Sequence, residues 1–301
     1  MHLLGDPHLG KKFIRGVPLE RRDEREQSQW TDFCKSLESA KGLHVCMGDL
    51  FDKSVVPYRI VLQAAEAYKR ASPDAEFVVL RGNHDGSRDA EFISAYDVFA
   101  ALLSGLKNIH VLQDEPLVLQ DYLFVPWHPF KAAADLIPKG KFKAAFGHWD
   151  VIDFGNDNPN LIPIAQLKEV CGEVYTGHDH DKRDIIIDGV PVHVVGSMQP
   201  YSHAEDREGK LYVTVTPDEL KDIGVKNKCV RVLLKKGEEI PVGLDCLQLT
   251  IKRVEEEVPE DLQVELGAFD LRKLFSESFS EEGVEEELTT HMWERFSASS
   301  N

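Results

Sequence analysis

The 301 residues are enough for one large domain with an appendage, or for two modest domains. With 42% hydrophobic and 29% charged residues, and no apolar run near the roughly 20 residues that cross a bilayer, the composition excludes a helical membrane protein; residues 1–10 also lack the basic-then-apolar pattern of a secretory signal. The net charge of −17 argues against a nucleic-acid binder at first sight, because like charges repel, but residues 255–301 hold 14 acidic and 3 basic side chains, a net −11 that leaves only −6 for the 254 residues before them.

Along the chain, short apolar strands alternate with helical stretches up to about residue 216. Strands are expected at 3–4, 43–47, 76–80, 109–112, 122–125, 144–146 and 173–175, and helices at 27–40, 57–71, 90–103, 130–136 and 164–170. Alternation of this kind predicts a layered α/β domain over 1–216. After Gly177 the pattern changes. Segments 184–187, 190–195 and 211–215 read as an antiparallel meander, with Asp188-Gly189 as a tight turn. Segments 229–234 and 247–254 read as two further strands, so that 217–258 forms a small cap or β extension. An acidic, Pro-containing linker follows at 255–261. Beyond it Leu271, Leu274 and Phe275, then Val284, Leu288, Met292 and Phe296, recur at helical spacing on either side of Gly283. Residues 259–301 therefore read as an acidic helix–turn–helix tail. The five cysteines (Cys34, Cys46, Cys171, Cys229, Cys246) form no CxxC pair, which points to buried, reduced thiols and a cytoplasmic setting.

Five short motifs carry chemistry, each where a strand ends and a loop begins: Asp6-Pro7-His8, Gly48-Asp49-Leu50-Phe51-Asp52, Gly82-Asn83-His84-Asp85, Gly147-His148 and Gly177-His178-Asp179-His180. Loops at the carboxyl ends of neighbouring strands converge on one edge of a sheet, where α/β proteins build their sites. Carboxylate and amide oxygens mixed with imidazoles suit Mn, Fe, Zn and similar ions. The i, i+2 spacing of Asp6 and His8, and of His178 and His180, points both side chains of an extended segment to one side. One such motif is weak evidence; five in this order are strong.

The set resembles the calcineurin-like metallophosphoesterase superfamily over residues 1–202. The resemblance implies a four-layer α/β/β/α sandwich, followed here by the small C-terminal β extension and the helical tail. It implies that Asp6, His8, Asp49 and His180 hold one divalent metal ion, and that Asp49, Asn83, His148 and His178 hold a second, with Asp49 as the bridge. Mn is the expected metal, with Fe, Zn or Mg as alternatives. His84 would protonate the leaving oxygen of a phosphoester, and Asp85 would orient His84 by accepting its other N–H. A narrower resemblance sits inside this one. Met47-Gly48-Asp49-Leu50-Phe51-Asp52, the Asp6-Pro7-His8-Leu9-Gly10 start, Val125-Pro126-Trp127, Gly147-His148-Trp149 and Gly196-Ser197-Met198-Gln199-Pro200 are similar to the SbcD-type nuclease subunits, the phage recombination endonucleases above all. That likeness implies a DNA exonuclease and endonuclease for double-strand-break repair. It also implies that the tail binds an SbcC-like coiled-coil ATPase, that a homodimer is a further association, and that the compartment is the cytoplasm, the host's if the chain is phage-encoded. A small phosphomonoester or a cyclic nucleotide is the alternative substrate for the same site.

Bland readings stand beside these. His2, His44, His110, His128, His193, His203 and His291 read as structural or exposed, with His128 the one placed to line the cleft. Lys11, Lys12, Arg15, Arg21 and Arg22 read either as phosphate contacts or as a solvated face. Asp52 and Asp85 read as hydrogen-bond partners of the ligands.

Overall fold

The computed structural model describes residues 1–71, 73, 75–153 and 157–254. The chain divides into two units, Met1–Leu234 with Glu239–Lys252, and Lys235–Glu238 with Arg253–Asn301. The expected tail over 259–301, and His291 with it, lie outside the described residues. Of the second unit, 235–238 form a turn in which the Glu238 carboxylate accepts the Lys235 amide at 2.7 Å.

In the first unit, strands β1 (His2–Leu4), β2 (Gly42–Cys46), β3 (Ala75–Leu80) and β4 (Ile109–Leu112) form a wholly parallel sheet in that order. A second sheet runs β5 (Leu117–Leu119), β6 (Tyr122–Val125), β7 (Ala145–Gly147), β8 (Val174–Thr176), β10 (Val190–Val194) and β9 (Arg183–Ile187). Alternation along each strand decides which residues meet. Leu43, Val45, Met47, Val78 and Leu80 face Phe124, Ala144 and Phe146 between the two sheets. Their neighbours Cys46, Phe77 and Val79 point the other way, onto helices α1 (Glu24–Glu38), α2 (Tyr58–Arg70) and α3 (Ala95–Leu103). On the far side, Leu123, Val125, Ala145 and Val192 meet Leu167 and Val170 of α4 (Ile164–Val170). Both faces of the central strands are thus apolar, as covered parallel strands require, and the four layers are α/β/β/α. Among the described residues no helix is long and apolar enough to cross a membrane.

Helix α1 shows how the fold reaches the site. Its buried stripe is Arg25, Gln29, Phe33 and Leu37, each four residues on. The second half of the stripe enters the core. The first half is polar because it meets the carbonyls of the Asp6–His8 segment and of Pro200.

Three expectations change. The antiparallel meander holds only for β9 and β10. Tyr212–Val215 (β11) instead pairs in parallel with Cys229–Leu234 (β12), in a separate three-stranded sheet completed by Gln248–Arg253 (β13). The segment 130–136 forms a 3-10 turn only at Ala133–Leu136, its amide at Ala133 being drawn to the Pro159 carbonyl. Helix α3 starts at Ala95, not near 90, because Ser94 and Asp97 form a reciprocal capping box there.

Candidate metal centre

The five motifs meet where the carboxyl ends of β1, β2 and β3 face those of β7 and β8. Backbone hydrogen bonds fix the loops to one another: His8 N–H to the Asp49 carbonyl at 2.9 Å, Met47 N–H to Leu4 at 2.9 Å, and Gly177 N–H to Gly147 at 3.0 Å. The loops touch so closely that two glycines are obligatory. A Cβ on Gly82 would lie 2.1 Å from Asp49 Oδ1, and one on Gly48, whose φ is +112°, would lie 2.3 Å from His148 Nδ1. Three candidate ligands, His8, Asp49 and His178, hold left-handed backbones with φ of 47°, 48° and 73°. Such conformations cost free energy and persist where surrounding structure enforces them, most often at functional sites.

Asp6, His8 and His180 place one donor atom each within 4.8 Å of one another; so do Asp49, His148 and His178, and so do His8, Asp49 and His84. Asn83 Oδ1 joins the second group, 2.9 Å from His148 Nε2 and 2.9 Å from His178 Nδ1. Hydrogen-bond bookkeeping fixes the tautomers. His148 Nδ1 must donate to the Met47 carbonyl at 2.9 Å, so its Nε2 presents a lone pair. His178 Nε2 is held by the Asp150 carboxylate, so its Nδ1 does the same. Both lone pairs face the acceptor oxygen of Asn83. His180, with Nδ1 3.3 Å from Glu205, likewise turns Nε2 toward His8 Nε2 at 3.0 Å and Asp6 Oδ2 at 3.6 Å. Acceptors that converge on acceptors repel unless a cation lies among them. Donor atoms on adjacent vertices around an ion at about 2.1 Å stand about 3 Å apart, which is the spacing found. The residues therefore fit divalent metal ions.

The electrostatics agree. Burial, and then the charge of Asp49, hold the Asp6 carboxyl well above the usual carboxylate range, and Asp6 Oδ1 has no hydrogen-bond partner. Burial pushes His8 down to about 3, against the pull of Asp49. Burial raises Asp49 too, but the neighbouring imidazoles, His148 first, outweigh it and draw the carboxyl below its ordinary value. No lysine or arginine among the described residues forms an ion pair with Asp6 or Asp49. Lys11 pairs instead with Asp52 at 3.0 Å, Lys12 lies 3.4 Å from Asp23, and Arg21 binds Glu24 and Asp245.

All nine sequence-predicted site residues are present here, but one role moves. His84 Nδ1 donates to the backbone carbonyl of Asp52 at 2.7 Å. The Asp85 carboxylate is buried and accepts three amides, those of Leu50 (3.1 Å), Phe51 (2.8 Å) and Gly82 (2.9 Å). It cannot also orient His84; it staples the Asp49 loop to the Asn83 loop. Residues that sequence reading missed are Asp150 and Glu205, which hold the outer nitrogens of His178 and His180, and the Gln29–Tyr201 pair. Asp150 repeats the i, i+2 spacing after His148, a signal that was open to use; Glu205 and Tyr201 carry none. The Tyr201 hydroxyl lies 2.6 Å from the Pro7 carbonyl and 3.1 Å from that of Asp6, while Gln29 Nε2 donates to Pro7 and His8. Partners that orient ligands in this way contribute about 10- to 100-fold to metal affinity. Tyr201→Phe is accordingly expected to weaken Mn binding by about tenfold, seen in a calorimetric titration; an unchanged titration would show that the hydroxyl has no such role.

Compared with known proteins, residues 2–182 match the family model described as calcineurin-like phosphoesterase. No curated protein matches the chain. Among solved structures it is similar to the phosphopantetheinyl hydrolase of Mycobacterium tuberculosis, with 12% identity and a TM-score of 0.38 over 69% of this chain and 91% of that one.

Proposed function

Since the chain belongs to the calcineurin-like phosphoesterase family, and is by that a metal-dependent phosphoester hydrolase, we propose that its substrate is DNA and that it acts as the Mn-dependent nuclease subunit of an SbcCD-like end-processing complex. The observation that carries the reaction is that Asp49, in one donor group with His148 and His178, lies 3.7 Å from His8 of the Asp6–His8–His180 group, with His84 on an open rim beside them. Asp6, His8, Asp49 and His180 would hold one ion, and Asp49, Asn83, His148 and His178 the other. When bound, the two ions supply Lewis-acid polarisation of the phosphate and make the attacking water more acidic.

The protein's own groups do the rest. Asp150 and Glu205 hold His178 and His180 in the tautomers that ligate. His84 lines a cleft of about 330 Å³ together with Asp49, Asp150, Ile152, His178 and His180. With Nδ1 committed to the Asp52 carbonyl, its Nε2 is the nitrogen that passes a proton to the leaving oxygen. The choice of DNA is supported by the Gly48–Asp52 and Gly147–Trp149 segments and their likeness to SbcD-type subunits. The acidic tail over 259–301 is proposed to dock on the ATPase coiled coil, with the extension over 217–258 and a second copy of the chain as further aids to duplex binding.

The test is a nuclease assay on linear duplex and single-stranded DNA with Mn, with and without an SbcC-like ATPase. Degradation of DNA that a chelator abolishes is the expected result. Inert DNA alongside rapid turnover of nitrophenyl phosphates or cyclic nucleotides would replace this reading with a small-substrate phosphoesterase.

A further inference from the structure

A second cavity, of about 460 Å³, has both of its walls tied to the metal centre. One wall hangs on the turn that presents Asn83 and His84. The Trp127 amide donates to the Arg81 carbonyl at 2.9 Å, and the indole lies so close to Gly86 that a Cβ there would sit 2.6 Å from the ring. The opposite wall hangs on Asp150. Its carboxylate accepts from Asn158 Nδ2 at 2.8 Å, and its backbone exchanges hydrogen bonds with Asn160 (3.1 Å) and Ile162 (2.9 Å). Asp150 in turn holds His178. A ligand seated here lies against the loop that carries His84 and against the loop whose Asp150 holds His178.

The lining states what kind of ligand fits. Phe130 presents its ring at the rim with 60% of the residue exposed. Its backbone is held there by His128, whose Nδ1 accepts the amides of Phe130 (3.0 Å) and Lys131 (2.9 Å). With Nδ1 accepting two amides the ring is a structural peg, and burial lowers its pKa. The positive charge comes from Arg88, exposed and without an ion-pair partner among the described residues, and from Lys131, whose partner Glu115 is itself exposed. Asp157 is the acidic group of the lining. An exposed aromatic face beside an unpaired arginine and a solvent-exposed lysine is the combination that single-stranded nucleic acid uses: every base has a face to stack, and every linkage a charge.

We propose that this cavity is a nucleotide subsite, which seats the nucleotide next to the scissile linkage with its base on Phe130 and its phosphate on Arg88 and Lys131. The proposal rests on the reading of DNA as substrate. It adds a place where the strand is gripped before the bond is cut, and it makes the grip indifferent to base identity, because stacking is.

The experiment uses the full-length, Mn-supplemented protein and two substrates, a single-stranded oligonucleotide and bis(4-nitrophenyl) phosphate, whose single phosphate cannot occupy the metal centre and the subsite at once. Phe130 and Arg88 are exposed, so their removal leaves the fold intact. Phe130→Ala is expected to raise the KM for the oligonucleotide about 5- to 150-fold, the range that loss of one stacking partner produces, and Arg88→Ala to raise it about 5-fold or more through loss of a charged hydrogen bond to phosphate, each with a much smaller loss on the nitrophenyl ester. Phe130→Trp, which keeps a stacking face, is expected to restore most of the affinity. If both alanine variants hold the oligonucleotide KM within about twofold of the parent, or lose equally on both substrates, the subsite is wrong and the nuclease reading stands. If the parent protein hydrolyses the ester and leaves DNA untouched, both are overturned.

Discussion

Asp49→Asn lowers phosphodiester hydrolysis by about three orders of magnitude or more, and it does so by emptying both ion sites at once. Asp49 is the carboxylate shared by two of the three donor clusters, and it also reaches the remaining one: its Oδ2 lies 3.7 Å from His8 Nε2, and its Oδ1 lies 3.5 Å from His148 Nε2. The amide retains an oxygen for the His84 amide, which donates to Asp49 Oδ1 at 2.8 Å, so the loop keeps its shape. What disappears is the negative charge that the surrounding imidazoles and cations require. Metal content by mass spectrometry is therefore expected to fall well below that of the parent. The thermal response should follow. An ion present at about 100 times its Kd stabilises the folded state by about 2.7 kcal/mol, on the order of 5–10 °C in Tm for a chain of this size. The parent should show this gain with Mn, and Asp49→Asn should lose most of it. A variant that retains both ions and the full Mn-dependent rise in Tm would remove Asp49 from the bridging role.

The ligands were legible because each depends on local chemistry. A strand end, a glycine and one or two donors form a pattern within five residues, and the carboxyl ends of parallel strands bring such patterns together whatever lies between them. The sandwich core was legible for a similar reason: Leu43, Val45 and Met47 alternate with His44 and Cys46, and the period of two assigns the faces. Strand β5 was not, since Val118 is exposed and the hairpin turns through Gln120 and Asp121 at φ of 53° and 65°, without the glycine that usually announces such a turn. The pairing of β11 with β12 is set by register between distant segments, which periodicity cannot express. The exchange between Asp52 and Asp85 has the same origin. Both stand near His84, but a main-chain carbonyl, invisible in any residue pattern, took the imidazole N–H, and the better-placed carboxylate was drawn to three amides that had no other acceptor. Asp150, Glu205, Gln29 and Tyr201 were missed because the groups they satisfy, outer ring nitrogens and backbone carbonyls, exist only once the loops have met.

His84→Gln separates chemistry from metal binding. His84 sits in the third donor cluster with His8 and Asp49, so geometry alone permits two roles, ligand or proton donor. Its surroundings favour the second. The side chain is 44% exposed, whereas those of Asp49 and His8 are 2% exposed, and its Nε2 stands 4.0 Å from Asp49 Oδ2, farther than His8 (3.7 Å) or His148 (3.5 Å) from the same carboxylate. A ligand is normally packed and held from behind by a partner that sets its lone pair toward the ion; His84 is held by the Asp52 carbonyl but left open to the cleft. Glutamine approximates the reach of the imidazole and can still donate a hydrogen bond, yet it cannot release a proton. Loss of a positioned general acid costs about 10²- to 10⁴-fold in rate, so kcat is expected to fall by that amount while metal content and the Mn-dependent rise in Tm remain at the parent level. The leaving group gives the sharper measurement. A phosphodiester with a good leaving group such as nitrophenolate needs little protonation, so His84→Gln should lose far less on it than on DNA, whose departing alkoxide needs the proton most. Equal losses on the two substrates, or loss of bound metal together with activity, would make His84 a ligand and not the acid.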